Sequence, residues 1–154
     1  MPTVEERLHE LESRLQLAED RLAIADLIAS YGPAVDRRDG LATEELWASD
    51  GTYVIGDEVV PFAEVAAIVD RPGHLRYVNA GCSHFLSPAR IDITGDTAVA
   101  VNYSMVVMHE GERWVVDRLS ANRWELIRTA DGWRVQQRAN RTLTGVEEAR
   151  TLLT

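Results

Sequence analysis

The segment DTAVAVNYSMVVMH, residues 96–109, is a long run of strand-forming residues that ends just before Gly111. Two similar segments follow it, GERWVVDRLSANRWELIR at residues 111–128 and WRVQQRANRTL at residues 133–143. The dipeptide at 131–132, Asp-Gly, lies between the last two segments and is a strong hairpin signal. The pattern predicts an antiparallel meander in which consecutive strands pair with one another.

The N-terminal part of the chain has a different pattern. Residues 4–31, VEERLHELESRLQLAEDRLAIADLIASY, contain neither Gly nor Pro and predict one long helix. Helices that come first and strands that follow indicate an α+β fold rather than an alternating α/β fold. With 154 residues and 45% apolar residues, the chain has the size and composition of a single domain, residues 1–154. We expect a curved antiparallel or mixed sheet, packed on the N-terminal helices as a half-open, cone-shaped α+β barrel.

The first turns of this helix carry a narrow apolar seam at 3-4 spacing, which is typical of a short coiled coil. The seam residues are Leu8, Leu11, Leu15, Ala18, Leu22 and Ala25. Residues 1–22 are therefore predicted to be a helical extension, and two interpretations of it are open. It either associates subunits into a homo-oligomer, a trimer or dimer, or it lies on its own domain.

The segments between this helix and the meander are shorter. Gly32-Pro33 is predicted to interrupt the helix, because proline lacks a backbone donor and clashes with the preceding turn. Periodicity and turn residues then predict a helical turn at 41–48, a strand at 51–55, a helix at 61–71, a first long strand at 84–93 and a short helix at 145–153.

Composition excludes several classes of function. Sixteen Lys and Arg against 25 Asp and Glu give a net charge of −9, which repels nucleic acid. The single cysteine excludes an internal disulfide and a cysteine-built zinc site, and no HxH, HExxH or CxxC motif indicates a metal. No apolar run approaches the ~20 residues of a membrane span, and the charged N-terminus is unlike a signal peptide. We expect a cytoplasmic protein with no metal and no cofactor.

The candidate catalytic pair is Asp36 and His84. Asp36 follows two apolar residues in GPAVDRRDG, and it is either a helix-end charge beside Arg37 or a buried carboxylate that pairs with an imidazole from the sheet. A carboxylate that accepts a hydrogen bond from one ring nitrogen makes the other a stronger base. Cys82 shares a strand face with His84, but a buried, inert thiol is a more common arrangement than a nucleophile.

Candidate pocket residues lie on the three long strands. In residues 96–109 the odd positions are more apolar, so we expect them to face the helices, with His109 at the end of this stripe. Ser120 and Asn122 share a face with Trp124, and they either line a pocket or face water. Arg141 shares a face with Trp133, and it either binds a carboxylate or phenolate substrate or extends to solvent at the rim.

At these residues the sequence resembles the SnoaL-like branch of the nuclear-transport-factor-like cone fold, over nearly the whole chain. The N-terminal stretch through VDRRD is similar to the bile-acid dehydratases, whose functional tyrosine, aspartate and histidine fall on Tyr31, Asp36 and His84. From SHFLSPARIDI onward the chain is similar to scytalone dehydratase. Its two pocket histidines match His84 and His109, and SANRW carries over its serine and asparagine as Ser120 and Asn122.

The sequence also departs from these families. Val35 stands where scytalone dehydratase has a tyrosine, and Ile55 stands where its second tyrosine lies, with Tyr53 two positions earlier on the same face. Val107 falls at the second acidic residue of the bile-acid dehydratases. Hexachlorocyclohexane dehydrochlorinase is similar too and uses the same Asp–His pair.

The resemblance implies a cofactor-independent lyase of the dehydratase type, acting on a hydrophobic cyclic or polycyclic small molecule. His84 oriented by Asp36 is then the general base, and Tyr31 assists the leaving oxygen. His109, Asn122, Ser120, Tyr53 and Arg141 are the expected substrate-binding residues. The alternatives are an isomerase, cyclase or epoxide hydrolase on the same fold, or a module that binds a ligand or partner without catalysis.

Overall fold

The computed structural model of the protein describes residues 1–154. The helices are α1 Val4–Asp36, α2 Gly40–Glu44, α3 Phe62–Val65, α4 Pro72–Ala80 and α5 Glu147–Thr151, with a 3₁₀ turn at Ala66–Asp70. The strands are β1 Trp47–Ile55, β2 Glu58–Pro61, β3 Cys82–Leu86, β4 Arg90–Thr94, β5 Thr97–Glu110, β6 Arg113–Thr129 and β7 Gly132–Thr142.

All seven strands form one sheet in the order β2-β1-β7-β6-β5-β3, and β4 pairs with the first half of β5 while β3 pairs with the second half. The β1–β7 pair is parallel and the other pairs are antiparallel. Register shifts interrupt three of the ladders, and such bulges increase the local bend and twist of a sheet. The predicted α+β class, with a curved mixed sheet packed on an N-terminal helix, is confirmed.

The core lies between α1 and the concave face of this sheet. Ile24, Ile28, Tyr31 and Val35 are spaced by four, three and four residues, so they form one buried stripe on α1. The sheet side of the core is made largely of buried apolar side chains from β5, β6 and β7, among them Ala98, Ala100, Trp124, Leu126, Trp133 and Val135. The floor of the cone is therefore filled with side chains.

The face of β5 that meets the helix is opposite to the predicted one. Its even positions Ala98, Ala100 and Asn102 are buried, whereas Tyr103 and His109 are exposed. Small side chains suit the inner face because aromatic rings from α1 and β6 occupy the space above it. The more apolar odd positions instead contribute to an apolar outer face of the sheet, so apolar content alone assigned the faces wrongly.

The predicted interruption at Gly32-Pro33 is also wrong, because α1 continues through Pro33 to Asp36. Pro33 and Ala29 are both exposed, so water can satisfy the carbonyl that loses its helical partner. Gly32 is required by packing: a Cβ atom there would lie 2.3 Å from the carbonyl oxygen of His84 on β3. The glycine lets the last turns of the helix lie directly against the strand.

Four shorter predictions need correction. Residues 47–48 belong to β1 rather than to a helix, residues 58–61 form a strand, and residues 72–80 form α4. The predicted strand at 84–93 is two strands that follow one another along β5, because Pro88 between them cannot donate a ladder hydrogen bond. The C-terminal helix is confirmed as α5.

Residues 1–19, which include the first sixteen residues of α1, are exposed, among them three leucines of the predicted seam. A capping box between Thr3 and Glu6 fixes the start of the helix. None of the helices combines the length and apolarity needed to cross a membrane.

Asp20 is where α1 joins the body of the fold. Its carboxylate is buried and accepts two hydrogen bonds from the Arg128 guanidinium, at 2.6 and 2.7 Å, and one from the Trp133 indole at 3.0 Å. Arg128 also stacks on the Trp133 ring. The hydrogen bonds from Arg128 are the main reason that the pKa of Asp20 falls from 3.8 to about 2.

We predict that Asp20→Asn lowers the free energy of unfolding by about 1–3 kcal/mol, because a buried, charge-assisted pair is lost. Asp96→Asn is the control, since Asp96 bonds the same arginine but is exposed, and it should cost less than about 0.5 kcal/mol. A depressed pKa stabilises the fold above pH 3.8 and loses that contribution as the pH falls toward about 2. Urea unfolding between pH 2 and 5 should therefore show a smaller acid loss in Asp20→Asn, and equal losses in both variants would contradict the assignment.

Candidate functional site

Asp36 and His84 are in direct contact. The Nδ1 atom of His84 lies 2.6 Å from Oδ1 of Asp36, and the backbone N–H of His84 donates to Oδ2 at 2.9 Å. Because Asp36 is a carboxylate, Nδ1 is the protonated ring nitrogen in this arrangement, and Nε2 is left as the basic one. Asp36 at the end of α1 thus binds both the ring and the backbone N–H of His84 on β3.

The ionisation of Asp36 is set by these bonds. Burial opposes its charged form, but the hydrogen bonds from the His84 ring and backbone outweigh that effect, so the pKa of Asp36 lies below its ordinary value. Asp36 is also the last residue of α1, where the negative end of the helix dipole disfavours a carboxylate. The helix itself gives no reason for an acid here, whereas the contact with His84 does.

His84, with Asp36 behind it, lines a cavity of about 360 Å³, a size within the usual range for small-molecule sites. The cavity is bounded by α1, β1, α4, β3 and β6 and is lined by Tyr31, Val35, Tyr53, Ile55, Ile68, Arg71, Gly73, His74, Arg76, Tyr77, His84 and Arg118. A wider groove of about 870 Å³ runs along the other side of α1, past Leu27, Pro33 and Arg134. That groove contains no histidine, whereas the smaller cavity contains His84 with its bonded carboxylate. The smaller cavity is therefore the candidate site, although the groove has the larger volume.

Tyr31 and Tyr53 form the aromatic side of the cavity. Their ring centroids are 6.2 Å apart and nearly perpendicular, and Tyr31 also packs edge-on against Trp124. Burial, with a further contribution from Tyr53, raises the pKa of Tyr31 far above its ordinary value. Tyr31 therefore remains protonated, so its hydroxyl is available as a hydrogen-bond donor.

Arg138 is a fully buried cation beneath these rings. Its guanidinium carbon lies 3.9 Å from the Tyr31 ring centroid, 4.7 Å from that of Tyr53 and 4.2 Å from that of Trp124. Its Nε and Nη2 donate to Oδ1 of Asn122, while Nη1 has no hydrogen-bond partner. No carboxylate pairs with it, so its positive charge acts on the aromatic wall above.

The sequence analysis missed Arg138 because a bulge changes the face of β7. Glu125 pairs with Gln137 and Leu126 pairs with Val135, which leaves Gln136 as an extra residue. Strict alternation from Trp133 predicts Gln137 and Arg141 on the inner face, whereas the bulge places Arg138 and Asn140 there. A bulge of this kind leaves no clear mark in a single sequence.

His74 and Tyr77 were also missed, because α4 was not predicted. The Nε2 atom of His74 lies 2.8 Å from the carbonyl oxygen of Val35, and its ring centroid is 5.5 Å from that of His84. Burial is the main cause that lowers the pKa of His74, so the ring is neutral and Nε2 donates to the carbonyl. The Tyr77 hydroxyl donates to Asp117, and its ring meets His84 edge-on at 6.1 Å.

Four expected substrate-binding residues do not line the cavity. His109 is exposed at the end of β5 and stacks against Trp114, because it lies on the outer face of the strand. Ser120 and Asn122 are buried, and Asn122 is occupied by Arg138, Asn140 and Ser104. Arg141 pairs with Asp57 at the rim, at 3.0 Å. Tyr31 and Tyr53 are the expected residues that join the pair at the cavity.

Cys82 completes a small cluster with Asp36 and His84, whose possible ligand atoms all lie within 4.8 Å of one another. These three residues could in principle hold a metal ion, but the carboxylate and Nδ1 are already bonded to each other. The Cys82 thiol donates to Oδ1 of Asp36 at 3.5 Å. Burial, followed by the charge of Asp36, raises the pKa of this thiol to about 11, so it is neither a nucleophile nor a ready metal ligand at neutral pH.

The comparisons with known proteins agree with this architecture. The model of the SnoaL-like domain matches residues 16–139. An NTF2-like protein with a cystatin-like fold from Novosphingobium aromaticivorans is 40% identical, and the alignment covers 100% of this chain and 99% of that one with a TM-score of 0.92. A search of curated proteins finds no match.

Two more distant structures share the fold. A candidate dehydratase of the NTF2-like family from Streptomyces avermitilis has 18% identity and a TM-score of 0.67, over 82% of this chain and 98% of that one. A candidate ketosteroid isomerase from Shewanella frigidimarina has 18% identity and a TM-score of 0.61, and the alignment covers 77% of this chain and 94% of that one. At this level of identity the likeness establishes the fold alone.

We predict that Cys82 reacts slowly with iodoacetamide at pH 8. Raising a thiol pKa from 9.0 to about 11 lowers its thiolate fraction about a hundredfold, and the alkylation rate should fall accordingly relative to the urea-unfolded chain. Asp36→Asn should increase the rate in the folded protein, because it removes the neighbouring negative charge. Equal rates in folded and unfolded protein, measured by mass spectrometry, would contradict this environment.

Proposed function

Given that this chain belongs to the SnoaL-like domain family, whose fold includes dehydratases and isomerases, we propose that it is a cofactor-independent lyase. It eliminates water from a hydrophobic cyclic small molecule, with His84 as general base and Asp36 as the residue that orients it. The observation that carries the proposal is the 2.6 Å contact of Asp36 with His84, a histidine that lines a cavity.

The base step follows from the hydrogen bonds. Asp36 accepts the Nδ1 proton, which fixes the tautomer and leaves the Nε2 lone pair to take a proton from a substrate carbon beside a carbonyl or ring. The carboxylate then stabilises the imidazolium that forms. A positioned base of this kind contributes typically ~10²–10⁴-fold to the rate.

The rest of the elimination balances without a further reagent. The electron pair of the broken C–H bond forms a carbon–carbon double bond, and the C–O bond breaks as the hydroxyl leaves. The leaving oxygen acquires a proton from an acidic side chain, and the proton held by His84 then returns through solvent to that side chain, so the net products are an alkene and water. Tyr31 is the proposed donor to the leaving oxygen, since it is protonated and lines the same cavity.

The walls favour an apolar, ring-shaped substrate. Val35, Ile55 and Ile68 offer aliphatic surface, and Tyr31 and Tyr53 offer ring edges and faces. Arg138 beneath the two tyrosines would stabilise negative charge that develops on the substrate as the proton leaves. Such an environment suits an enolate-like intermediate.

The same features suit an isomerase, which moves a proton within the substrate instead of expelling a hydroxyl. A protonated Tyr31 that lines the same cavity as His84 is the specific observation in its favour. We propose to incubate the protein with cyclic β-hydroxyketones and unsaturated cyclic ketones and to weigh the products. A mass loss of one water identifies the lyase, whereas unchanged mass with deuterium uptake from D₂O identifies the isomerase.

We predict that His84→Ala and Asp36→Asn each lower kcat at least about 100-fold on the substrate identified in this way. His109→Ala is the matched control, because it removes an exposed histidine outside the cavity and should retain the wild-type rate. Circular dichroism verifies that each variant is folded. Full activity in folded His84→Ala would refute the assignment of the base.

The N-terminal extension is the proposed oligomerisation element. Leu8, Leu11 and Leu15 are all more than half exposed in the single chain, on a helix whose other faces are charged. Burying such a seam against other copies of α1 removes apolar surface from water. This part of the proposal does not depend on the reaction.

We predict that removing residues 1–19 converts a homo-oligomer of the full chain into a smaller species in sedimentation velocity. Because these residues make few contacts with the body of the fold, the melting temperature of the dilute, truncated chain should change little. A full-length chain that sediments as a monomer, or a truncation that leaves the assembly intact, would exclude this role.

A further inference from the structure

The cavity is lined by three arginines and by no carboxylate. Arg71, Arg76 and Arg118 contribute to its wall, while Asp36 lies behind His84 and does not. The chain as a whole has a net charge of −9, so this local excess of positive charge runs against the overall composition.

Only one of the three arginines is free of a counter-ion. Arg71 pairs with Glu58 at 3.0 Å and Arg76 pairs with Asp117 at 3.3 Å. Arg118 makes no ion pair and its side chain makes no hydrogen bond within the chain, although it is partly buried. The neighbouring Asp117 is already used by Arg76 and by the Tyr77 hydroxyl.

A bulge in β6 sets this arrangement. Val106 pairs with Arg118 and Val107 pairs with Val116, so Asp117 is the extra residue. Arg118 lies on the same face as Ser120, two positions further along the strand. Arg118 pairs with Val106 of β5, which fixes its backbone, and its guanidinium makes no hydrogen bond within the chain.

Arg118 is also close to the reacting end of the cavity. The Tyr77 ring packs edge-on against His84, and the Tyr77 hydroxyl reaches Asp117, the residue next to Arg118. The Tyr77 side chain therefore extends from His84 to Asp117, the neighbour of Arg118. A ligand of ring size can reach both His84 and Arg118 at once.

We propose that Arg118 binds a carboxylate group of the substrate, so that the enzyme acts on hydrophobic cyclic acids. The guanidinium presents parallel N–H donors that match a carboxylate, and the partly enclosed position strengthens the pair. The inference rests on the proposed function for the identity of the site, but it concerns binding and is measured without turnover.

The test uses 2-naphthoate and its uncharged isostere 2-naphthamide, titrated by calorimetry into the full-length protein. We expect the wild type to bind naphthoate at least about tenfold more tightly than naphthamide, with a preference that weakens as salt increases. Arg118→Gln should reduce the preference to less than about twofold and leave naphthamide binding unchanged. Arg90→Gln is the control, because it removes an equal charge from an exposed strand outside the cavity and should retain the preference.

Three results would overturn the proposal: no measurable naphthoate binding, equal affinity for the two probes in the wild type, or an undiminished preference in folded Arg118→Gln. The same titration with His84→Ala separates this proposal from the proposed reaction. A retained carboxylate preference in that variant supports the Arg118 subsite even if no elimination is ever detected. If Arg118→Gln loses the preference for naphthoate over naphthamide but turns over a neutral ketone at the normal rate, Arg118 binds the carboxylate of acidic substrates and is not needed for the reaction itself.

Discussion

The close approach of α1 to β3 is the constraint on which the site depends. At Gly32 the helix backbone meets the carbonyl of His84, with no room for a side chain, and one turn later Asp36 reaches the N–H and ring of the same residue. A larger residue at position 32 would separate the two elements and lengthen the acid–imidazole bond. Gly32 therefore affects the site only by allowing the short distance between Asp36 and His84. The buried stripe of Ile24, Ile28, Tyr31 and Val35 packs the helix against the sheet.

A second constraint comes from the two bulges that interrupt the long strands. Each adds one residue, Asp117 in β6 and Gln136 in β7, and so changes which residues face inward. The first is followed by Arg118 at the cavity wall, and the second brings Arg138 under the tyrosine rings. Without the β7 bulge an outer-face residue would lie under the rings in place of Arg138, whereas Arg118 shares the face of Ser120 by simple alternation. The position of Arg138 thus results from sheet irregularity as much as from composition.

The sequence alone was sufficient for the fold class and the order of the long strands, because helical periodicity and hairpin signals are local. From its own residues Asp36 was either a helix-end charge or the partner of a sheet imidazole, and only the family resemblance indicated His84 as that partner. The sequence was insufficient where long-range geometry decides. Gly32 was interpreted as a helix breaker although its reason is a contact with residue 84, which no local pattern encodes. The face of β5 was misassigned because the outer face is apolar too, and His109 was misplaced with it. His74 and Arg138 depend on α4 and on a bulge, respectively.

The titratable groups in and behind the cavity wall have pKa values shifted in different directions by their environments, so some are proton acceptors and others stay protonated. Asp36 is held ionised by the His84 bonds, the His74 ring is kept neutral by burial, and Tyr31 is kept protonated by burial. The thiol of Cys82, beside the same carboxylate, is likewise kept protonated. One site therefore combines a carboxylate-oriented imidazole with a protonated phenol while a competing nucleophile is suppressed, and groups with pKa values pushed apart are what acid–base catalysis requires. That division of roles favours proton abstraction over covalent catalysis, whichever bond of the substrate then breaks.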